Sequence, residues 1–448
     1  MGLFGDVRKP VTCPSQLVSD AREQDPRGDR LHVGFAALFM FCLPIDTAPA
    51  SISWGMLAGL LALRLLLHGA VRRSLSPLLR SWTCWAIALW AAWTILTIAW
   101  STDPVTGWDH AGALRMILLP ALLFPVLTRW RILLGALLAG VALQGLMQVG
   151  ELVLAFSSGA SLTRPSGLMD HPGLSAMFMG TAAVIWLSIL VTSQRIRWYL
   201  LVGLVLAVFG VVVAQGRGIW IGCLLAVLVV IWQSIASKRV PARRLIAILI
   251  CAAVFAGGAG LLVGKSARMR LSDIPASITG FFNGNANTGG EYRLTWWRGA
   301  LDASVEGPAV FVFGRGLGST TTVDFAVKGS RIPSRTSHPH NVLVQSLYEG
   351  GLIGLVLFLF LLWRIAWGDG GRREVVSSIA IPALVVLWVG AGMFEGLQNS
   401  GGQLAVLMLA ASFSVALGLV NPRLQTVGSS RPRSRKGVAV GVVEPVAE

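Results

Sequence analysis

GKSARMRLSDIPASITGFFNGNANTGGEYRLTWWRGALDASVEGPAVFVFGRGLGSTTTVDFAVKGSRIPSRTSHPHNVLVQSLYEGGLIG fills residues 264–354 and is the only long piece of the chain that is not apolar enough to cross a bilayer. It carries Lys265, Arg268, Arg270, Arg293, Arg298 and Arg315, passes through His338-Pro339-His340-Asn341, and re-enters an apolar run at Val342. On both sides of it the sequence reads as membrane. Apolar runs of about 20 residues, each enough to span a hydrocarbon core of roughly 30 Å, recur along most of the chain. The expected fold class is all-α: a polytopic membrane protein with about twelve transmembrane helices and one large, partly helical outer loop.

Composition agrees. Of the 448 residues 54% are hydrophobic and 13% are charged, against roughly 25% charged in a soluble domain. The formal charge of +16 lies largely in short hydrophilic connections, where it sets orientation rather than binding nucleic acid. Of the five cysteines, Cys42, Cys84, Cys223 and Cys251 fall in apolar runs and Cys13 in the N-terminal tail, with no paired spacing. No disulfide framework, metal site or cofactor is therefore expected. The first 30 residues are polar and charged, which argues against a cleavable signal peptide.

The chain divides into a tail at 1–32, nine spans within 33–263, the loop 264–339, three spans within 340–420 and a basic tail at 421–448. Alternate connections are rich in arginine: Arg72, Arg73 and Arg80; Arg129 and Arg131; Arg195 and Arg197; Lys238, Arg239, Arg243 and Arg244; Arg364, Arg372 and Arg373. The positive-inside bias puts these connections and both termini in the cytoplasm and the long loop outside. Arg64 and Arg115 stand apart as charges within apolar runs.

Two short outer connections are unusual. Residues 157–172 contain Arg164, Asp170 and His171, and residues 215–218 read Gln-Gly-Arg-Gly between two apolar runs. A break of that kind satisfies its backbone poorly in lipid, so it is expected to line a protein-walled or wet cavity. Within the long loop, Glu291 to Ala303 has helical spacing with Arg293, Trp296, Trp297 and Ala300 able to share one side.

These patterns single out candidate chemistry. Arg217 is either a helix-end arginine reaching for headgroups or a phosphate clamp, since its planar fork makes two charge-assisted hydrogen bonds to phosphate oxygens. Arg293 pairs with Glu291 or headgroups, or serves the same clamp. Arg164 and Arg335 fit loop positioning better. His171 reads as a helix-start cap together with Asp170. His338 and His340 flank Pro339 just before a span, with Asn341, Gln345 and Glu349 following on one helical side. Either imidazole, with a reference pKa of about 6.5, is a ready general base at neutral pH. Gly314-Arg315-Gly316-Leu317-Gly318 lacks the surroundings of a nucleotide fingerprint and reads as a tight turn that lets Arg315 approach something.

The sequence resembles the O-antigen ligase and polymerase family over roughly residues 160–360. The similar pieces are Gln215-Gly216-Arg217-Gly218, the Arg293 to Trp297 spacing, Gly314-Arg315-Gly316-Leu317-Gly318, and His338-Pro339-His340-Asn341 running into Leu347-Tyr348-Glu349-Gly350-Gly351-Leu352-Ile353-Gly354. The resemblance implies a GT-C-like membrane transferase acting without metal on the outer face of the bacterial inner membrane. Its donor would be a glycan on undecaprenyl diphosphate, and its acceptor the lipid A-core for a ligase or another lipid-linked glycan for a polymerase. On this reading Arg217, Arg293 and Arg298 bind the donor diphosphate, and His338 or His340 is the base. Arg164, Asp170, His171, Trp297, Arg315, Arg335 and Asn341 are candidate substrate contacts. A protein O-oligosaccharyltransferase shares this donor chemistry. A lipid-linked glycan transporter is the alternative from another class; it expects charges buried along a mid-membrane path, whereas nearly all charges here lie at span ends.

Overall fold

The structure, a computed structural model, describes residues 14–159, 164–193, 198–237, 289–321, 339–368, 375–394 and 401–419, with isolated positions at 246, 250, 253, 257 and 279. Among them the regular elements are all helical. Those of ten residues or more are α1 (Pro14–Gln24), α2 (Pro26–Cys42), α3 (Thr47–Leu67), α4 (Trp82–Leu96), α5 (Trp130–Ser157) and α6 (Pro172–Thr192). They continue with α7 (Trp198–Val213), α8 (Arg217–Ala236), α9 (Gly289–Ser304), α10 (Val342–Trp367), α11 (Val375–Gly392) and α12 (Gly401–Leu419). Six helical stretches in the described residues are long and apolar enough to cross a membrane: Thr47–Leu67, Trp82–Trp100, Pro104–Ser157, Pro172–Thr192, Arg217–Ala236 and Val342–Trp367. The span expected at 245–263, apart from four isolated positions, and the loop residues 322–338 lie outside the described residues.

Local sequence explains where helices start and where they tighten. Asp25 caps α2, its Oδ1 accepting from the Gly28 amide at 2.8 Å, with Pro26 at the first helical position. Helix therefore begins inside the segment expected as an N-terminal tail. The run 112–129 is a series of short turns, 3-10 over Gly112–Leu118 and Phe124–Arg129 around the five-residue helix Leu119–Leu123. Pro120 and Pro125 each remove an amide donor from that run, which favours short pieces over one long helix.

Helix α6 is the hub. Seventeen of its residues are buried, and it packs against α7, α8 and α11. A helix that is apolar all round is expected to be enclosed, and its polar groups fold back on their own turn: Thr181 Oγ1 donates to the Met177 carbonyl and Ser188 Oγ to Val184, both at 2.8 Å. The outer helices are apolar too, but present Leu66, Leu67, Trp82, Trp198, Trp232 and Trp367 on the outside, as a lipid solvent demands. Helices α8 and α11 touch backbone to backbone, where a Cβ at Gly390 would sit 2.7 Å from the Gly222 Cα; small residues at the crossing permit that approach.

A buried ionic cluster closes the end of the bundle that carries the arginine-rich connections. Arg64, 3% exposed, donates from Nε to Asp25 Oδ2 at 2.7 Å and from Nη1 to His32 Nδ1 at 2.8 Å, and His32 Nε2 donates to the Leu122 carbonyl at 2.8 Å. The guanidinium can only donate, so His32 is held neutral with its proton on Nε2. Asp29 is bridged by Arg129 at 2.9 Å and Arg22 at 3.3 Å. Arg64 is thus paired within protein, whereas Arg115 reaches outward to Ser51 Oγ at 3.0 Å. Burial pushes the Asp25 carboxyl up, but its hydrogen bonds from Arg64 and Gly28 and the charges of Arg64 and His68 outweigh it and hold the group below its ordinary value. A lowered folded pKa contributes stability above the unfolded value of about 3.9 and loses it as pH falls through the folded one. Asp25→Asn is expected to cost about 3–5 kcal/mol at neutral pH by stranding Arg64. The gap between wild-type and variant melting temperatures in detergent should narrow only below about pH 4; a gap independent of acidification would contradict the pairing.

Candidate functional site

The 215–218 break lies inside protein. Helix α7 ends at Val213, and Val213, Ala214 and Gln215 are buried, Gln215 in the left-handed region at φ 54°. Its interrupted backbone finds partners from neighbouring side chains. Arg164 Nε donates to the Ala214 carbonyl at 2.9 Å, and Trp220 Nε1 to the Val211 carbonyl at 2.9 Å. Arg217 is then the first residue of α8, half-buried, with Gly216 as the capping position. A helix start exposes amide donors and the positive end of the dipole, so its guanidinium stands where anions are already favoured.

The connection bearing Arg164 is pinned against this break by polar side chains of α5. Gln144 donates to the Ser166 carbonyl and to Ser175 Oγ, Gln148 donates to the Pro165 carbonyl at 3.3 Å, and Glu151 accepts from the Ser166 amide at 3.0 Å. His171 caps α6, its Nδ1 accepting from the Gly173 amide at 3.1 Å; Asp170 beside it is exposed.

Helix α9 carries Arg293 and packs on the first half of α10. Ala300, Ala303, Val344 and Tyr348 form a small core of their own, with Trp296 and Trp297 against it. Two ring contacts tie this helix to the rest of the candidate site. The Trp296 indole stacks on the His340 imidazole, centroids 5.3 Å apart and planes 23° apart. Trp297 meets Phe394, at the end of α11, with centroids 5.7 Å apart. Phe394 in turn covers Gly218, where a Cβ would sit 2.7 Å from the Phe394 Cβ. The Arg217–Gly218 helix start, α9 and His340 are thereby joined through one aromatic chain across three distant parts of the sequence. Trp297 Nε1 is buried with no hydrogen-bond partner among the described residues.

His340 is half-buried at φ 54°, and Asn341 after it caps α10, its Oδ1 accepting from the Leu343 and Val344 amides at 3.0 and 3.1 Å. Pro339-His340-Asn341 therefore work locally as the entry to a helix, with the His340 imidazole against Trp296 of α9. His338 and Arg335 lie outside the described residues.

Behind this wall the glycine turn docks into a kink of α10. At Gly351 the helix leaves helical geometry, with φ 66° and ψ −168°. The carbonyls released by the kink are taken up elsewhere: Tyr348 O by the Arg315 amide and Glu349 O by the Gly316 amide, both at 2.9 Å, and Gly350 O by Trp93 Nε1 of α4 at 2.8 Å. Buried Glu349 gathers the turn's other end, accepting from the Gly318 amide at 3.2 Å and from Gln345 Nε2 at 3.1 Å. Such complete pairing is what a backbone break inside a bundle requires.

The other named cations are engaged in different ways. Arg315 pairs with Glu306, donates to the Ala303 carbonyl at the end of α9, and lies over the Tyr348 ring. What it approaches is thus the end of its neighbouring helix. Arg298 is exposed and lies 3.8 Å from Asp302. Contacts link Gly218, next to Arg217, to Phe394 and Trp297, and Trp296 to His340, which precedes the cap Asn341; Arg164 and Arg293 lie on the adjoining elements, and Arg298 is exposed. Phe394, the stacking role of Trp296 and the polar face of α5 carried no signal in the sequence, because each depends on a partner far away along the chain.

The fold and site define an all-α polytopic membrane protein whose outer amphipathic helix is clamped over a helix start and a histidine turn. Residues 202–359 match the family model described as O-antigen ligase. The matched stretch holds Arg217, α9 and the whole of the histidine and glycine motifs. That match supports a glycosyltransferase activity of the ligase or polymerase type. A search of curated proteins returned no match.

Proposed function

We propose that the protein transfers a glycan from undecaprenyl diphosphate to the lipid A-core on the periplasmic face of the bacterial inner membrane. The observation that carries this reading is the aromatic chain from Gly218 through Phe394, Trp297 and Trp296 to His340. It couples a helix start bearing Arg217 to an imidazole through the helix bearing Arg293. Arg217 and Arg293 bind the diphosphate and stabilise the charge that grows on it as the leaving group. His340, or His338 two residues before it, takes the proton from an acceptor hydroxyl as that oxygen attacks the anomeric carbon. The new glycosidic bond forms as the bond to the diphosphate oxygen breaks, and undecaprenyl diphosphate leaves with its electron pair. A single displacement of this kind inverts the anomeric centre.

Trp296 fixes the ring plane of His340. Its removal should lower turnover by up to about tenfold, the scale of an aromatic pair worth roughly 0.5–1.5 kcal/mol, with less effect on donor affinity. Trp296→Phe should restore most of the rate. Equal turnover in Trp296→Ala and wild type would remove His340 from the reaction.

The decisive experiment incubates purified protein with undecaprenyl-diphosphate glycan, with lipid A-core present or absent and a chelator throughout. Glycan on lipid A-core supports the ligase; lengthened donor chains alone mean a polymerase, overturning the acceptor assignment. Absence of both products overturns the transferase chemistry described here.

A further inference from the structure

An apolar recess lies at the other end of the bundle. It runs between the 3-10 turn Ser76–Arg80, the first two turns of α4 and the broken run around Pro120, and encloses about 1200 Å³ with its open side included. Leu78, Trp85, Ala88, Ile117 and Ala121 line it, together with Arg72. The recess follows from local structure: short 3-10 pieces and proline turns cannot fill the space that a straight helix would. Trp85 keeps its wall in place by donating from Nε1 to the Leu79 carbonyl at 2.9 Å.

Its chemistry is two-part. The walls are hydrocarbon and partly exposed, while no carboxylate lines the space. Arg72, Arg73 and Arg80 are all exposed near the same connection, which the positive-inside bias assigns to the cytoplasm. An apolar cleft with an exposed guanidinium among its lining residues matches an anionic amphiphile. We propose that this recess is a binding site for one anionic glycerophospholipid of the cytoplasmic leaflet, with its acyl chains against Trp85, Ala88 and Ala121 and its phosphate on Arg72. The site is separate from the candidate reaction centre, because α4 lines the recess near its start and meets α10 through Trp93 near its end. It does not depend on which acceptor the enzyme uses.

The test uses the full-length protein in nanodiscs of equal phosphatidylglycerol and phosphatidylcholine, released into the gas phase for native mass spectrometry. Wild type should retain one phosphatidylglycerol with a preference of roughly fivefold, the scale of one arginine near an anionic surface. Arg72→Gln, a change at an exposed position, should bring the two lipids to parity. Ala88→Trp with Ala121→Trp should abolish retention of both lipids while leaving the glycosyl transfer rate unchanged, which checks folding. A preference unchanged in Arg72→Gln, or full retention in the folded double variant, would overturn the proposal. So would displacement of phosphatidylglycerol by added undecaprenyl phosphate, since the recess would then belong to the donor lipid.

Discussion

Arg217→Ala is expected to reduce glycosyl transfer by at least about 10²–10³-fold, the loss typical when one preorganised group facing developing charge is removed. The guanidinium sits at the first position of α8, where the helix dipole already favours an anion such as a diphosphate. Arg217→Lys should rescue only partly, because an ammonium supplies a point charge without the bidentate fork. Arg293→Ala is expected to behave alike, and His340→Ala and His338→Ala, measured separately, assign the base. Membrane insertion and melting temperature should stay near wild type for Arg217→Ala, as the residue is half-buried at a helix start. Full activity in Arg217→Ala and Arg293→Ala together would remove the diphosphate clamp.

Gly351→Ala should be strongly damaging to the fold. At φ 66° an alanine is strained, and its Cβ would fall inside contact distance of the Val312 carbonyl and the Gly314 amide. Left-handed strain alone costs roughly 1–3 kcal/mol. Pushing the 314–318 turn away also removes the amides that satisfy the Tyr348 and Glu349 carbonyls, each worth about 1–3 kcal/mol when left buried and unpaired. The neighbouring Gly350→Ala is the control, because a Cβ there meets Trp93 Nε1 at 3.5 Å, an ordinary contact. Thermal melting and transfer activity should both fall for Gly351→Ala and stay close to wild type for Gly350→Ala; equal behaviour of the two would mean that the kink is not held by the glycine turn.

Much of the site was legible because its pieces carry unusual residue types. A Gln-Gly-Arg-Gly interruption, a Trp-Trp pair on an outer helix and a His-Pro-His-Asn motif before a span stand out in an apolar chain. Their local roles were partly readable as well: His171 does cap a helix. The glycine turn was recognised as a turn, yet its receptor, the kink at Gly351, was not. Docking there runs through backbone amides and carbonyls, which every residue possesses, so no side-chain pattern announces it. Phe394 and His32 gave no signal for a related reason. One is an aromatic at the end of an apolar helix, the other a histidine in a segment taken as tail, and each gains meaning only from the side chain opposite.

From the chain alone came the membrane class, the alternation of basic connections and the residue types suited to a diphosphate and a proton transfer. Hydropathy and charge bias are local quantities, and lipid enforces them residue by residue. Only the tertiary structure decided that α6 is the enclosed helix, that Arg64 is neutralised by Asp25, and that Phe394 meets both Gly218 and Trp297 while Trp296 stacks on His340. Lipid tails and a protein core are equally apolar, so hydropathy cannot tell which side of a helix faces which; that choice is made by shape, by glycine-sized approaches and by the pairing of buried polar groups.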